Sequence, residues 1–205
     1  MTEQLAPDAA QVGRDIDLAL DRLEDEERLD VVGVAAHERA RSLVEGPLGP
    51  LLQGAWLGHS LHPLMTDIPI GCWTCAALLD VVGGRTSRPA SQRLIGLGTL
   101  SALPTALTGL AELATIDADD DAARRVATAH AGLNAVAIAS YALSWQRRRR
   151  GRYASGVAWS GVGAVVASAS GHLGGHLAYV LGVGHGARGR RPGAEEGAVT
   201  ADAVS

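Results

Sequence analysis

Four long stretches of this chain run almost free of charge, separated by short polar intervals. They span residues 64–82, 94–116, 126–145 and 154–181. A helix rises 1.5 Å per residue, so about 20 apolar residues cross the hydrocarbon core of a bilayer. Each stretch is near or above that length, and none carries the polar face at a 3.6-residue period that marks a soluble amphipathic helix. The intervals GGRTSRP, DADDDAARR and QRRRRGR hold the charges and turn residues. The pattern predicts an all-α integral membrane four-helix bundle over residues 51–184. Trp145, Tyr153 and Tyr179 sit at span ends, where interfacial aromatics belong.

The flanks read differently. Within residues 15–45, Ile16, Leu20 and Leu23 share one face among many acids, which predicts an amphipathic helical arm over residues 1–50, read as a solvated surface helix. Gly46-Pro47 and Gly49-Pro50 end it. Residues 185–205 are Gly, Ala, Arg and acid, the composition of a disordered tail. Residues 1–46 hold twelve acids against five Arg, a net charge of −7, within a chain of net charge −4. That balance excludes nucleic acid as a partner. Two Cys cannot build a disulfide framework. No basic patch leads into an apolar stretch at the start, so no cleavable signal peptide is expected. The chain uses Arg and no Lys, with much Ala, Gly and Val. That suggests a high-GC bacterial genome, and hence the bacterial inner membrane.

Arg in short loops sets orientation. Arg85, Arg88 and Arg93 follow the first span, and Arg147, Arg148, Arg149, Arg150 and Arg152 follow the third. These loops are expected in the cytoplasm and both termini outside it, although Arg188, Arg190 and Arg191 after the fourth span weigh the other way. Within the spans, Gly163, Ala167, Gly171 and Gly175 form a stripe of small residues at four-residue spacing, expected to bring helices close together inside the bundle. Pro104 should kink the second span, with Thr105 and Thr108 serving the freed carbonyls.

Successive spans alternate in direction, which gathers the polar residues. One membrane face receives His59, His62 and Asp67, then Glu112, then His130 and Asn134, then His172 and His176. The opposite face receives mainly Arg, with Asp80. His130 and Asn134, like His172 and His176, are four residues apart and share a helix face. Ionisable groups inside a membrane are costly and usually face the bundle interior. Such a set can ligate haem b or a metal ion, hold a quinone or relay protons, or it can simply hydrogen-bond neighbouring helices. His130 and His176 are the leading ligand pair, followed by His62 and His59. Asp67, Glu112, Asn134 and His172 would orient them. His185 lies beyond the last span, and His37 reads as a surface residue. Cys72 and Cys75 read as small apolar residues of the first span, with a redox pair as the alternative.

The segments GAWLGHSLHPLMTDIPIGCWT, GLGTLSALPTALTGLAE, RRVATAHAGLNAVAIASYALSW and GGHLAYVLGVG resemble the bacterial membrane family known as domain of unknown function twenty-two thirty-one, over roughly residues 51–184. The positions that match are Gly58, His59, His62, Pro63, Asp67, Pro69, Gly71, Pro104, Gly109, His130, Asn134, Gly174, Gly175 and His176. Glu112 stands where such sequences often carry Asp, Leu113 where they carry Trp, and His172 where an aromatic is usual. The resemblance implies a four-helix membrane protein without an established activity. Some members are fused to a Rieske iron–sulfur domain, which implies a place in membrane electron transfer; here such a partner would be a separate chain. The expectation is therefore a small redox or respiratory membrane component without enzymatic activity of its own. The alternatives are a non-catalytic scaffold or anchor and, less favoured, a proton or metal-ion transporter.

Overall fold

A computed structural model describes residues 9–184. The predicted tail and the flanking His185 lie outside the described residues. The described residues form helices α1 (Ala9–Glu24), α2 (Asp30–Val44), α3 (Gly49–Leu52), α4 (His62–Val82), α5 (Arg88–Leu113), α6 (Asp121–Arg149) and α7 (Tyr153–Tyr179), with one 3-10 turn at Glu27–Leu29. The fold is an all-α membrane bundle, and its four long helices, α4 to α7, contain the four apolar stretches. α4, α5 and α6 are long and apolar enough to cross a membrane. α7 has the length, at 27 residues, but its many Gly and Ser leave it outside that set. It packs along α6 all the same.

Capping chemistry fixes where α6 begins and ends. Asp120 accepts a hydrogen bond from the Ala123 amide at 2.9 Å, Asp121 lies in the first turn, and Arg147, Arg148 and Arg149 lie in the last. Charges so placed oppose the helix dipole at both ends. α5 continues unbroken through Pro104. Thr105 Oγ1 donates to the Ser101 carbonyl at 2.9 Å and Thr108 Oγ1 to the Thr105 carbonyl at 2.7 Å, so neither takes the Leu100 carbonyl that Pro104 leaves without an amide.

The helices meet along lines of small residues whose spacing differs from the expected stripe. On α7 the inward line is Gly156, Ser160, Gly163, Ala167, Ser170 and Gly174, with steps alternating four and three. That 3.5-residue repeat belongs to helices crossing at a shallow left-handed angle. Gly163 and Ala167 lie on this line, but Gly171 and Gly175 have drifted off it, and a Cβ at either would meet nothing within 4 Å. A strict four-residue stripe winds away from an antiparallel neighbour within two turns. On α5 the matching line is Ser91, Ile95, Gly98, Ala102, Thr105 and Gly109. Large side chains of α4 and α6 occupy the grooves so made. A Cβ at Gly98 would come within 2.6 Å of Trp73, and one at Gly163 within 2.8 Å of Tyr141. Trp73 and Tyr141 then stack on each other, centroids 3.9 Å apart and planes 8° off parallel.

At the Arg end, one of the arginines counted with the loop turns inward. Arg148 has a fully buried side chain and grips Asp80 with two bonds of 2.9 and 2.6 Å. Its remaining donors reach Ser144 at 3.1 Å, Ser91 at 3.0 Å and Ser160 at 3.0 Å. Asp80 also accepts from Ser91 at 2.7 Å and from Tyr153 at 2.5 Å. One ion pair thus joins α4, α5, α6 and α7.

The N-terminal arm is docked, which corrects the expectation of a solvated helix. Leu20, Leu23, Ala36 and Ala40 pack with Leu113, Ile116, Val126 and Leu177 in one apolar cluster. Arg125 clasps Asp30 with bonds of 2.7 and 2.7 Å and donates to the Glu24 carbonyl at 2.9 Å. His37, expected at the surface, is 6% exposed on the same face of α2 as Gly33 and Ala40. The acids of α1 and α2 disguised these helices as soluble ones, whereas their apolar sides close over the ends of α5, α6 and α7.

Two predictions follow from these contacts. Arg148→Ala leaves Asp80 buried without its counter-charge, and such a loss costs about 3–5 kcal/mol. In detergent it should lower the melting temperature by roughly 10 °C or more, and Asp80→Ala/Arg148→Ala should regain part of that loss. The guanidinium of Arg125 hydrogen-bonds Asp30 and holds its carboxyl below the usual range. Arm docking should therefore be complete above the ordinary Asp value of about 4 and weaken as pH falls through the lower folded value. Hydrogen exchange of α1 and α2 between pH 7 and pH 3 would show it.

Candidate functional site

The polar face collects the ends predicted for it, but each imidazole turns to a specific neighbour. His62 opens α4 and lies over Gly109 of α5, where an added Cβ would come within 2.8 Å of the ring. Its Nδ1 is 3.0 Å from the Thr105 carbonyl and 3.2 Å from Thr108 Oγ1. His130 on α6 lies over Gly174 of α7, with a 3.0 Å approach. Its Nδ1 is 2.8 Å from the Ser170 carbonyl, and its Nε2 is 3.0 Å from Asn134 Nδ2. A carbonyl only accepts, so Nδ1 carries a proton in both rings, and the Nε2 of His130 accepts from the Asn134 amide. The two rings face each other with centroids 6.5 Å apart and planes at 88°.

Of the other candidates, Glu112 lies within electrostatic reach of His130, and the rest have surroundings of their own. His176 Nε2 donates to Glu24 Oε1 at 2.6 Å, so it tethers α7 to the arm. His59 is exposed and bonds its own neighbour, the Ser60 carbonyl, at 2.9 Å. Asp67 and His172 are exposed. Glu112 is half-buried in a small pocket with Gln53, Ser60, Thr115 and Gly184. Gly184 there adopts φ +84°, and a side chain on it would strike the Glu112 carboxylate. Cys72 and Cys75 are free thiols, Cys72 against Gly98 and Cys75 facing outward.

This arrangement bears on the cofactor expectation. Among the described residues, no three His, Cys, Asp or Glu side chains come together as a metal ion would need. Among the described residues, two juxtapositions have ligand character: His62 with His130, and His176 with Glu24. Spacing alone missed the partners of His62 and His130: Thr105 reads as serving the carbonyls freed by Pro104, Gly109 and Gly174 stand out only as positions that match the family, and Ser170 carries no signal of its own. The remaining signal was depth: Thr105 and Ser170 each lie four residues before a glycine, on the helix next to a His.

The family model for DUF2231, described as a predicted membrane protein, matches residues 58–187. The chain belongs to this family. The match takes in all four long helices of this DUF2231 protein and begins just before His59, so the arm lies outside it. No curated protein and no solved structure matches the chain.

If the two facing histidines are ties between helices, their removal should be felt in stability. His62→Ala and His130→Ala should each lower the melting temperature in detergent by roughly 4 °C or more, as lost buried hydrogen bonds do. His59→Ala and His172→Ala, at exposed positions, should leave it within about 2 °C.

Proposed function

We propose that this DUF2231 protein is a non-catalytic membrane scaffold or anchor subunit, in which polar residues within the bundle lock four spans together and the acidic arm caps one face. The observation that carries this reading is the use made of the imidazoles. His130 commits both ring nitrogens to Ser170 and Asn134, His176 commits Nε2 to Glu24, and His62 commits Nδ1 to Thr105 and Thr108. Outward-facing Leu, Ile and Val on α4 and α5 suit a lipid bilayer. The composition favours the bacterial inner membrane, and the Arg-rich loops favour a cytoplasmic Arg face with the termini outside.

A second reading is a redox component that holds haem b or a metal ion, or serves a quinone, and exchanges electrons with a separate Rieske-type protein. One observation favours it: His62 and His130 face each other with each Nδ1 on a backbone carbonyl, as in metal-binding imidazoles. A proton or metal-ion transporter has less support, because the cluster lies at one end and transport sites usually lie near the midplane.

The visible spectrum before and after dithionite, with metal analysis of the detergent-purified protein, separates the first two readings. The scaffold predicts a colourless, metal-free preparation. A Soret band that His130→Ala removes, or one metal ion per chain, would favour the redox component instead.

A further inference from the structure

The two halves of the bundle repeat each other. His62 and His130 differ by 68 residues, and so do Trp73 and Tyr141, and Asp80 and Arg148. The small-residue lines of α5 and α7 correspond at a constant offset of 65 residues, with Gly98 matching Gly163, Ala102 matching Ala167, and Gly109 matching Gly174. The run GLGTLSA beginning at Gly96 is echoed by GVGAVVA beginning at Gly161.

Contacts follow the same two offsets. The Nδ1 of His62 meets the Thr105 carbonyl and that of His130 meets the Ser170 carbonyl, and Thr105 and Ser170 differ by 65 residues. Across the middle of the bundle, each residue meets its own counterpart: His62 faces His130 at 6.5 Å, Trp73 stacks on Tyr141 at 3.9 Å, and Asp80 pairs with Arg148 at 2.6 Å. Residues that meet their own equivalents mark a twofold axis. α4 and α6 point the same way, so this axis runs along the membrane normal, as in transporters built from parallel repeats.

We propose that the transmembrane domain is an internal duplication. α4–α5 and α6–α7 are two copies of one helical hairpin, and the inward surface of each takes as its partner a second copy of the same hairpin. Fusion in one chain explains the charged level. In a symmetric pair of identical hairpins, the axis would bring Asp against Asp or Arg against Arg, a like-charge contact in a buried place. Once the copies are joined they can diverge, so that one carries the carboxylate and the other the guanidinium. The same history places α7 in the membrane as it does α5, since α7 repeats the packing line of a helix that is itself apolar enough to cross.

Equivalent positions in two copies of one hairpin should accept each other's residues, which is testable in the full-length protein. Trp73→Tyr and Tyr141→Trp singly put two tyrosines or two tryptophans on the axis, and each should lower the melting temperature by about 3 °C or more. The exchange W73Y/Y141W restores one of each and should recover at least half of the summed loss. A milder exchange, T105S/S170T, should behave alike relative to its own singles and covers the case in which the aromatic variants fail to fold. Recovery of less than half in the exchange that folds, or single aromatic variants without cost, would overturn the proposal.

Discussion

Everything in this bundle depends on how closely helices can approach when no water is present to drive them together. In lipid, an apolar side chain gains little by leaving the bilayer, so close van der Waals contact and satisfied hydrogen bonds must do what the hydrophobic effect does in water. Glycine supplies the approach. Gly98 and Gly163 make room for Trp73 and Tyr141, and Gly109 and Gly174 for His62 and His130. Without those four gaps the aromatic stack could not form, and the imidazoles could not reach the carbonyls of Thr105 and Ser170.

The polar groups are distributed to suit the same constraint. A buried ion pair is tolerable only when its remaining donors and acceptors are satisfied. Arg148 meets this with Asp80 and three serines, while Tyr153 and Ser91 complete the carboxylate. At the other end the ties are imidazoles, and the carboxylates lie farther out where the arm docks, Glu24 on His176 and Asp30 on Arg125. The bundle is thus fastened by charge at one face and by imidazole and arm at the other, with the Trp73–Tyr141 stack between.

Much of the fold was legible in the sequence because hydropathy registers length and charge, and both were plain in α4, α5 and α6. The gathering of His62, His130 and Glu112 at one face followed from alternation of direction alone. What escaped was register. The stripe of Gly163, Ala167, Gly171 and Gly175 reads equally well with a step of four, and only the neighbour's crossing angle selects the alternation of four and three. His176 looked equivalent to His130 in depth, but its partner, Glu24, lies 152 residues away in the arm. The acids of that arm hid its docking, because charge on one side of a helix says little about what Leu20 and Leu23 touch on the other. Arg148 counted as a loop charge until its pairing with Asp80 was seen.

The central claim is that the facing imidazoles are ties between helices, each donating from Nδ1 to a carbonyl of the neighbouring helix. Nitrogen-15 NMR of labelled protein in bilayers reports directly on which ring nitrogen carries the proton. The account predicts that Nδ1 carries a proton in both His62 and His130, and that the Nε2 of His130 is the acceptor. An unprotonated Nδ1 at either residue, a proton on the Nε2 of His130, or nitrogen bound to a metal at either residue would contradict it.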